Sequence, residues 1–167
     1  TVSILNGEGT SFCTGALVHP RIVMLAAHCI GGANFPMDVG FGETTEELDA
    51  TVPVVDCVMH PQYVPVGGDG LNPWDLGYCE LAADAPDVPI VPPLMGCESE
   101  ELVPDTEITL VGFGYDDELG ASGNNRKRRP VNTVETVDED GNNLYLLGVD
   151  DSSVCFGDSR GPAYMRL

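Results

Sequence analysis

Basic residues are scarce in this sequence of 167 residues. Seven Lys and Arg stand against 27 Asp and Glu, which gives a formal net charge of −20 at pH 7. Only one of the seven, Arg21, precedes Asn125, so the part before Asn125 is a polyanion. A field of this sign repels phosphate backbones and anionic bilayers, and it attracts cations or basic protein surfaces. The sequence therefore predicts no nucleic-acid partner.

Long apolar runs are also missing. A membrane-spanning helix needs about 18 consecutive apolar residues, and the most apolar stretch, residues 16–30, is broken by His19, Pro20, Arg21 and His28. The sequence predicts no membrane partner. It begins with strand-like residues and shows no signal-peptide pattern, so we expect either no export or a leader that has been removed.

The apolar content of the chain is that of a folded protein, and the pattern of its apolar residues is typical of β structure. Apolar residues make up 43% of the chain and charged residues 20%, and a chain of this length buries roughly 70% of its unfolded surface. Short runs rich in Val, Ile, Leu and Phe alternate with scattered Gly and Pro, which predicts an all-β sandwich or barrel with little helix beyond a turn near His28. The predicted strands are Val2–Leu5, Ser11–Val18, Ile22–Ala27, Asp38–Phe41, Thr51–Met59, Asp75–Leu81, Glu107–Gly112, Val131–Val137 and Leu144–Val149.

Two interruptions divide the chain. Residues 82–93 hold four prolines, which remove ladder donors and favour an extended connection between two halves. Residues 116–130 are polar and end in the basic run from Arg126 to Arg129. We expect this run to be an exposed loop that is either sensitive to proteolysis or clamped on neighbouring acids.

The six cysteines indicate disulfides in an oxidising compartment, with a reduced or metal-bound set as the alternative. Cys57-x-x-His60 is the one pair with zinc-like spacing, and disulfides are favoured over structural zinc. A Cys13–Cys29 bridge would close a loop of about 15 residues, worth roughly 3 kcal/mol, and would hold His28 beside the sheet.

Three segments carry groups suited to nucleophilic catalysis. His28 follows two apolar strands bracketed by Cys13 and Cys29, and Asp75 opens another apolar strand. Ser159 lies on a glycine-containing turn, where successive backbone N–H groups can converge on a developing oxyanion. Each feature alone is common: a core histidine, a turn-forming acid, a Gly-Ser turn. Their occurrence together, in the order His, Asp, Ser, indicates a hydrolytic triad.

In this order the motifs resemble those of the chymotrypsin/trypsin family of serine endopeptidases. The matching segments are Ala26-Ala27-His28-Cys29 for Ala-Ala-His-Cys, His60-Pro61-Gln62-Tyr63 for His-Pro-x-Tyr, Trp74-Asp75-Leu76 for the Asn-Asp-Ile-Ala-Leu strand, Val111-Gly112-Phe113-Gly114 for Gly-Trp-Gly, and Gly157 to Pro162 for Gly-Asp-Ser-Gly-Gly-Pro. The resemblance covers residues 12–162.

The resemblance implies an all-β, two-barrel chymotrypsin-like fold whose second barrel is incomplete in this chain. Residues 1–84 would form the first β-barrel, which carries His28 and Asp75. Residues 85–97 would be a proline-rich connection, and residues 98–167 a partial second barrel that carries Ser159.

The same resemblance implies a serine endopeptidase of protein or peptide substrates, secreted or otherwise extracytoplasmic and without a required cofactor. Ser159 would attack the scissile carbonyl, His28 would take its proton, and Asp75 would fix the tautomer of the imidazole. The N–H groups of Gly157 and Ser159 would receive the oxyanion. A metal ion is not part of this site.

Ser153, six residues before Ser159, matches the floor of the primary specificity pocket, where trypsin-like members hold Asp. A serine there favours an apolar or aromatic substrate side chain, the alternative being a truncated pocket with no defined preference. Among the cysteines, Cys13–Cys29 carries over from the family.

We further predict a Cys57–Cys79 bridge, because both residues fall on strands that flank the Asp75 loop. Cys97 and Cys155 match positions whose partners lie in a later part of the family sequence.

Several positions depart from the family. Arg160 replaces the glycine after the nucleophile, and the Ile-Val-Gly-Gly-like amino terminus that pairs with the aspartate at Asp158 has no match.

Since only eight residues follow Ser159, we expect a piece of a longer protein, with its remaining segments or a companion chain completing the second barrel. The alternative function is a catalytically weak or inactive homologue that acts as a binding module.

An acidic loop lies near the position where some relatives bind calcium. Its carboxylates are hard oxygen ligands suited to that ion, and a solvated acidic loop is the other interpretation. A weaker third hypothesis for function, an acidic cation-binding surface protein, rests on the same residues, which are Glu43, Glu46, Glu47 and Asp49.

Overall fold

The chain folds into strands, as predicted. The computed structural model describes residues 1–32, 34–65, 72, 74–114, 126–137, 144–146 and 161–166. The strands are β1 (Val2–Leu5), β2 (Ser11–His19), β3 (Ile22–Leu25), β4 (Asp38–Phe41), β5 (Ala50–Met59), β6 (Gly77–Leu81), β7 (Glu107–Leu110), β8 (Val131–Val137), β9 (Leu144–Leu146) and β10 (Ala163–Tyr164). Helix α1 spans Ala27–Gly31, and a 3₁₀ helix spans Gly96–Glu101.

The first six strands form a closed antiparallel barrel in the order β1-β2-β3-β6-β5-β4. It closes because β1 pairs with β2 on one side and with β4 on the other. Side chains from different strands fill the interior, and each that is fully buried contributes about 1.5–3 kcal/mol of hydrophobic stabilisation. The most buried include Ile4, Val23, Leu25, Val39 and Leu81.

A second, four-stranded sheet has the order β10-β7-β8-β9. Its described core consists of Ile108, Leu110 and Val134. The sheet contacts the barrel through a buried hydrogen bond of 3.1 Å, which the N–H of Phe113 donates to the hydroxyl oxygen of Thr14. The architecture is therefore the predicted one: a closed barrel, and a second sheet that is partially formed in the residues that the structure describes.

Some strand boundaries differ from the sequence-based prediction. The third strand ends at Leu25 instead of Ala27, because Ala27 already belongs to α1. The sixth strand begins at Gly77 instead of Asp75, because the N–H groups of Asp75 and Leu76 donate to the carbonyls of Asn72 and Trp74 within a turn. The predicted strand from Glu107 ends at Leu110. The ninth spans Leu144–Leu146, and the rest of its predicted range lies outside the described residues.

The proline-rich connection lies on the barrel surface. Residues 82–95, all of them described, contain neither helix nor strand. The side chains of Ala85 and Val88 pack against the barrel core, and the N–H of Ala85 donates to the carbonyl of Pro20 at 2.7 Å.

The basic run 126–129 makes the expected contacts with a neighbouring acid. Arg129 contacts both carboxylate oxygens of Glu43, at 2.8 and 2.7 Å. Lys127 lies 3.2 Å from the same carboxylate and 5.3 Å from the ring centroid of Phe113. Arg128 pairs with Gly112 through both backbone groups.

None of the helices in the part of the chain that the structure describes is long and apolar enough to cross a membrane.

Candidate active site

His28 lies in the first turn of α1, directly after β3 leaves the barrel. The Cys13–Cys29 disulfide ties the next residue to β2, with a Cα–Cα distance of 6.4 Å. Ala27 and Ile30 of the same helix are buried, while 46% of the His28 side chain is exposed. The helix is thus anchored by its neighbours, and the imidazole is presented to solvent at the barrel surface.

Asp75 holds His28 through both carboxylate oxygens. Oδ2 lies 2.7 Å from the ring Nδ1, and Oδ1 accepts the backbone N–H of His28 at 2.8 Å. That N–H is in the first turn of the helix, where it has no intrahelical partner. Because an ionised carboxylate only accepts hydrogen bonds, this contact favours the tautomer of the neutral imidazole in which Nδ1 carries the proton. In that tautomer Nε2 is the ring nitrogen that can act as a base, on a side chain that is partly exposed.

The Asp75 side chain is only 15% exposed, and a compact turn presents it. The N–H of Asp75 donates to the carbonyl of Asn72 at 3.1 Å. The N–H of Trp74 donates to the Asn72 side-chain oxygen at 3.0 Å. The Asn72 side-chain nitrogen donates to the carbonyl of Val64 at 3.0 Å. Sequence reasoning did not identify Asn72, although an Asn-Pro dipeptide is a turn signal.

Two aromatic groups accompany this turn. The rings of His60 and Trp74 are stacked, with centroids 4.7 Å apart and planes inclined by 15°. Burial raises the pKa of the Tyr63 phenol, and the negative charge of Asp75 raises it further. Tyr63 therefore stays neutral beside Asp75 over the physiological range, and its motif, His-Pro-x-Tyr, is the sequence signal that marks it.

Both predicted disulfides are confirmed. Cys57 and Cys79 are directly opposite each other on β5 and β6 and are bonded, with Cα atoms 4.1 Å apart. Cys57 in this state offers no thiolate to a metal, which removes the zinc alternative with His60. The sulfurs of Cys13 and Cys29 lie near the His28 ring, but they too are joined in a disulfide.

The other two cysteines are Cys97 and Cys155. Cys97 is exposed and forms no disulfide among the described residues, whereas Cys155 lies outside them.

The nucleophile segment is not among the described residues. Ser159, Gly157, Ser153 and Arg160 all lie in the range 147–160, which is outside them. The description resumes at Gly161, where the carbonyl of Pro162 accepts the N–H of Val111 at 3.0 Å and β10 pairs with β7. Of the three proposed triad residues, the structure brings His28 and Asp75 together.

The acidic loop near Glu43 contains ion pairs. Because Arg129 and Lys127 occupy the Glu43 carboxylate, a cation at that carboxylate would have to displace them.

A groove of about 430 Å³ lies between the barrel, the connection and β10. Met24, Leu25, Pro92, Leu94 and Met165 are among its lining residues, and neither His28 nor Asp75 is. It lies at an interface between two parts of the fold, and its lining also includes Leu76 and Gly161.

Comparisons with known proteins agree with this geometry. The family model described as Trypsin matches residues 1–166. A trypsin of Saccharopolyspora erythraea is 29% identical over 97% of this chain and 74% of its own length. The CLIP domain-containing serine protease B10 of Anopheles gambiae is 29% identical over 96% of this chain, which spans 52% of that relative.

Solved structures show the same architecture. A mutant of human heparin binding protein superimposes with a TM-score of 0.80 at 26% identity, over 98% of this chain and 74% of that one. Human heparin binding protein itself gives a TM-score of 0.74 at 24% identity, with 98% and 74% coverage, which shows the shared fold.

Proposed function

The chain belongs to the trypsin family, and from this premise we propose that it carries the catalytic triad of a serine endopeptidase. The observation that carries the proposal is the two-point contact between Asp75 and His28, with the ring Nδ1 at 2.7 Å from Oδ2. In the tautomer that this contact favours, Nε2 carries the lone pair that a general base requires. The third member, Ser159, is supported by its Gly-Asp-Ser motif.

The proposed reaction is hydrolysis of a peptide bond through an acyl-enzyme. Ser159 Oγ bonds to the scissile carbonyl carbon while its proton moves to Nε2 of His28. The C–N bond then breaks, and the same proton passes to the leaving amine. A water molecule then attacks the acyl carbon while His28 takes its proton. The bond between this carbon and Ser159 Oγ breaks, the acid leaves, and the proton passes to Oγ. Asp75 stays ionised and stabilises the imidazolium, and the N–H groups of Gly157 and Ser159 stabilise the oxyanion.

We propose an apolar or aromatic primary specificity. Its support is Ser153, which stands where a trypsin-like pocket carries an aspartate, so no fixed charge at that position favours a Lys or Arg side chain. The chemistry needs no cofactor. Two disulfides in a chain of this size are typical of an oxidising, extracytoplasmic location.

The partners that we propose are protein substrates and the groups that complete the second barrel. The chain spans 74% of the Saccharopolyspora trypsin, and further segments of the same protein or a companion chain would supply the remainder.

A fluorophosphonate probe tests the proposal directly, because only an activated serine attacks its phosphorus. We expect covalent labelling of the oxidised, folded protein, and loss of the label in Ser159→Ala, whose melting temperature should be unchanged. Peptide esters that differ only in the side chain before the scissile bond then report specificity, with Phe or Leu preferred over Lys. Absence of labelling in a folded, processed form would contradict the proposal.

A second candidate is a non-catalytic binding module. Arg160 replaces the glycine after the nucleophile, and a long side chain at a tight turn is costly if that turn needs a positive φ. One structural relative is named a heparin binding protein. Heparin is a polyanion, and the net charge of −20 disfavours such a ligand here. A folded protein that resists the probe and binds cationic peptides would support this second function.

A further inference from the structure

We propose that Asn72 is a positioning residue for the carboxylate of Asp75. The inference rests on the proposed function, because positioning has a catalytic meaning only if Asp75 serves the triad. It concerns a residue three positions before the acid, whose side chain contacts neither His28 nor the acid's own carboxylate in the described hydrogen bonds.

Asn72 is bonded to three backbone groups at once. Its side-chain oxygen accepts from the N–H of Trp74, and its side-chain nitrogen donates to the carbonyl of Val64. Its own carbonyl accepts from the N–H of Asp75. The first and third bonds fold the backbone into the turn from which Asp75 projects. The second bond attaches that turn to the segment after β5.

The other side of the turn is attached to the same segment. The carbonyl of Leu76 accepts from the N–H of His60 at 2.8 Å, and the His60 ring stacks on Trp74. Val64 and His60 are four residues apart, so Asp75 is held between two attachments. Loss of the Asn72 attachment would weaken the hold on the turn and would allow it to rotate.

Rotation matters because Asp75 has two contacts to satisfy. Oδ1 must reach the backbone N–H of His28 while Oδ2 reaches its ring. A displacement of about 1 Å at a reacting group can cost about a hundredfold in rate. A displaced carboxylate would also cease to select the Nδ1–H tautomer, and the population of imidazole with a free Nε2 would fall.

The test compares Asn72→Ala with a matched asparagine elsewhere. Asn6 also accepts from two backbone N–H groups, those of Glu8 and Thr10, both at 3.0 Å, but it lies in the β1–β2 turn. We expect Asn72→Ala to lower kcat for a small activated ester by about tenfold to a hundredfold with little change in KM. Asn6→Ala should lower the melting temperature by a similar amount and leave kcat unchanged.

A spectroscopic readout separates positioning from a general loss of stability. In the parent protein, the proton on Nδ1 of His28 should give a downfield NMR resonance because it is hydrogen-bonded to a carboxylate. We expect this resonance to broaden or disappear in Asn72→Ala and to persist in Asn6→Ala. The resonance requires no turnover, so it tests the inference even if the protein proves not to be a protease.

A third variant keeps the inference falsifiable if Asn72→Ala does not fold. Asn72→Ser retains a short acceptor for the Trp74 N–H but cannot reach Val64, and we expect an intermediate loss of kcat. Unchanged kcat and an unchanged resonance in either folded variant would overturn the inference. Equal losses in Asn72→Ala and Asn6→Ala would also overturn it, because they would indicate a global effect.

Discussion

The two oxygens of Asp75 contribute different things to the site. Oδ1 holds the backbone of His28 and so fixes where the residue lies, and Oδ2 holds the ring and so fixes how it is oriented. A single acceptor could do only one of these. The carboxylate is thus required for its geometry as well as for its charge.

At this scale, we predict the effect of Asp75→Asn. An amide has one acceptor and one donor group, so it cannot accept both hydrogen bonds, and the ring is driven to the other tautomer. On the proposed function, we expect kcat to fall by about 10⁴-fold, as in enzymes with a Ser-His-Asp triad, with the melting temperature changed by only a few degrees. Steady-state kinetics with an activated ester measure it.

The control for lost charge is Asp84→Asn, an exposed acid on the connection after β6. It removes the same charge from the molecule, and its kcat should match that of the parent. A loss of less than tenfold in Asp75→Asn would contradict the prediction.

At the scale of elements, β6 determines where Asp75 lies, because the strand begins two residues after the acid. Gly77, its first residue, is packed against α1 and β5. A Cβ added there would lie 2.5 Å from the Cδ1 of Ile30 and 2.8 Å from the carbonyl oxygen of Val58. The absence of a side chain therefore allows β6 to approach both the helix of His28 and the neighbouring strand.

We predict that Gly77→Ala destabilises the protein by about 1–3 kcal/mol, since the clash includes backbone that cannot move freely. The free energy of unfolding in urea measures it, under conditions that keep the disulfides intact. Gly7→Ala is the matched control, because its nearest neighbour would be the Cγ of Met37 at 3.8 Å, an ordinary contact. Equal stabilities of the two variants would contradict the prediction.

The presence of each strand could be predicted from the sequence more readily than its first and last residues. Strands β1, β4 and β8 have the predicted bounds, because each is a short apolar or β-branched run bounded by turn residues. The end of β3 could not be read, since Ala26 and Ala27 continue an apolar run. The change to helix at Ala27 depends on the distant partners of Cys29 and His28.

The contact between His28 and Asp75 could be predicted from the order of the motifs and from the resemblance, and not from either segment alone. Asp75 lies 47 positions from His28, and no local pattern states that they touch. The same limit applies to Asn72, whose turn is signalled locally but whose partner Val64 is not. The strands explain how such groups meet: Leu25 pairs with Gly77, so the residues just after β3 and just before β6 must be neighbours.

At the scale of the whole molecule, Glu43 connects the barrel to the second sheet. It receives Arg129 and Lys127 from the segment that leads into β8. The hydrogen bond from Arg129 has the largest effect on the pKa of Glu43 and lowers it; burial opposes this effect, and Lys127 lowers the pKa further. The folded state therefore favours the ionised carboxylate.

We predict that Glu43→Gln lowers stability at neutral pH and not in acid. A carboxyl whose pKa is depressed by folding stabilises the protein above its unfolded value of about 4.3, and this stabilisation is lost as the pH falls through the lower folded value. Because 62% of the side chain is exposed, solvent screening limits the effect to about 1 kcal/mol or less. Urea unfolding at pH 7 and pH 3, with and without added salt, measures it.

Glu107→Gln, at an exposed strand position, is the control for removing one negative charge. A pH-independent difference between Glu43→Gln and the parent would contradict the ion-pair explanation.

Closure of the barrel has a consequence for how the protein associates with copies of itself. Every one of the six strands has a hydrogen-bonded neighbour on both sides, so the barrel offers no free edge on which a strand from another molecule could add. The Cys57–Cys79 bond keeps β5 and β6 in register even though many β5 side chains face solvent. Aggregation by strand addition therefore has to begin outside the barrel, or after it has opened.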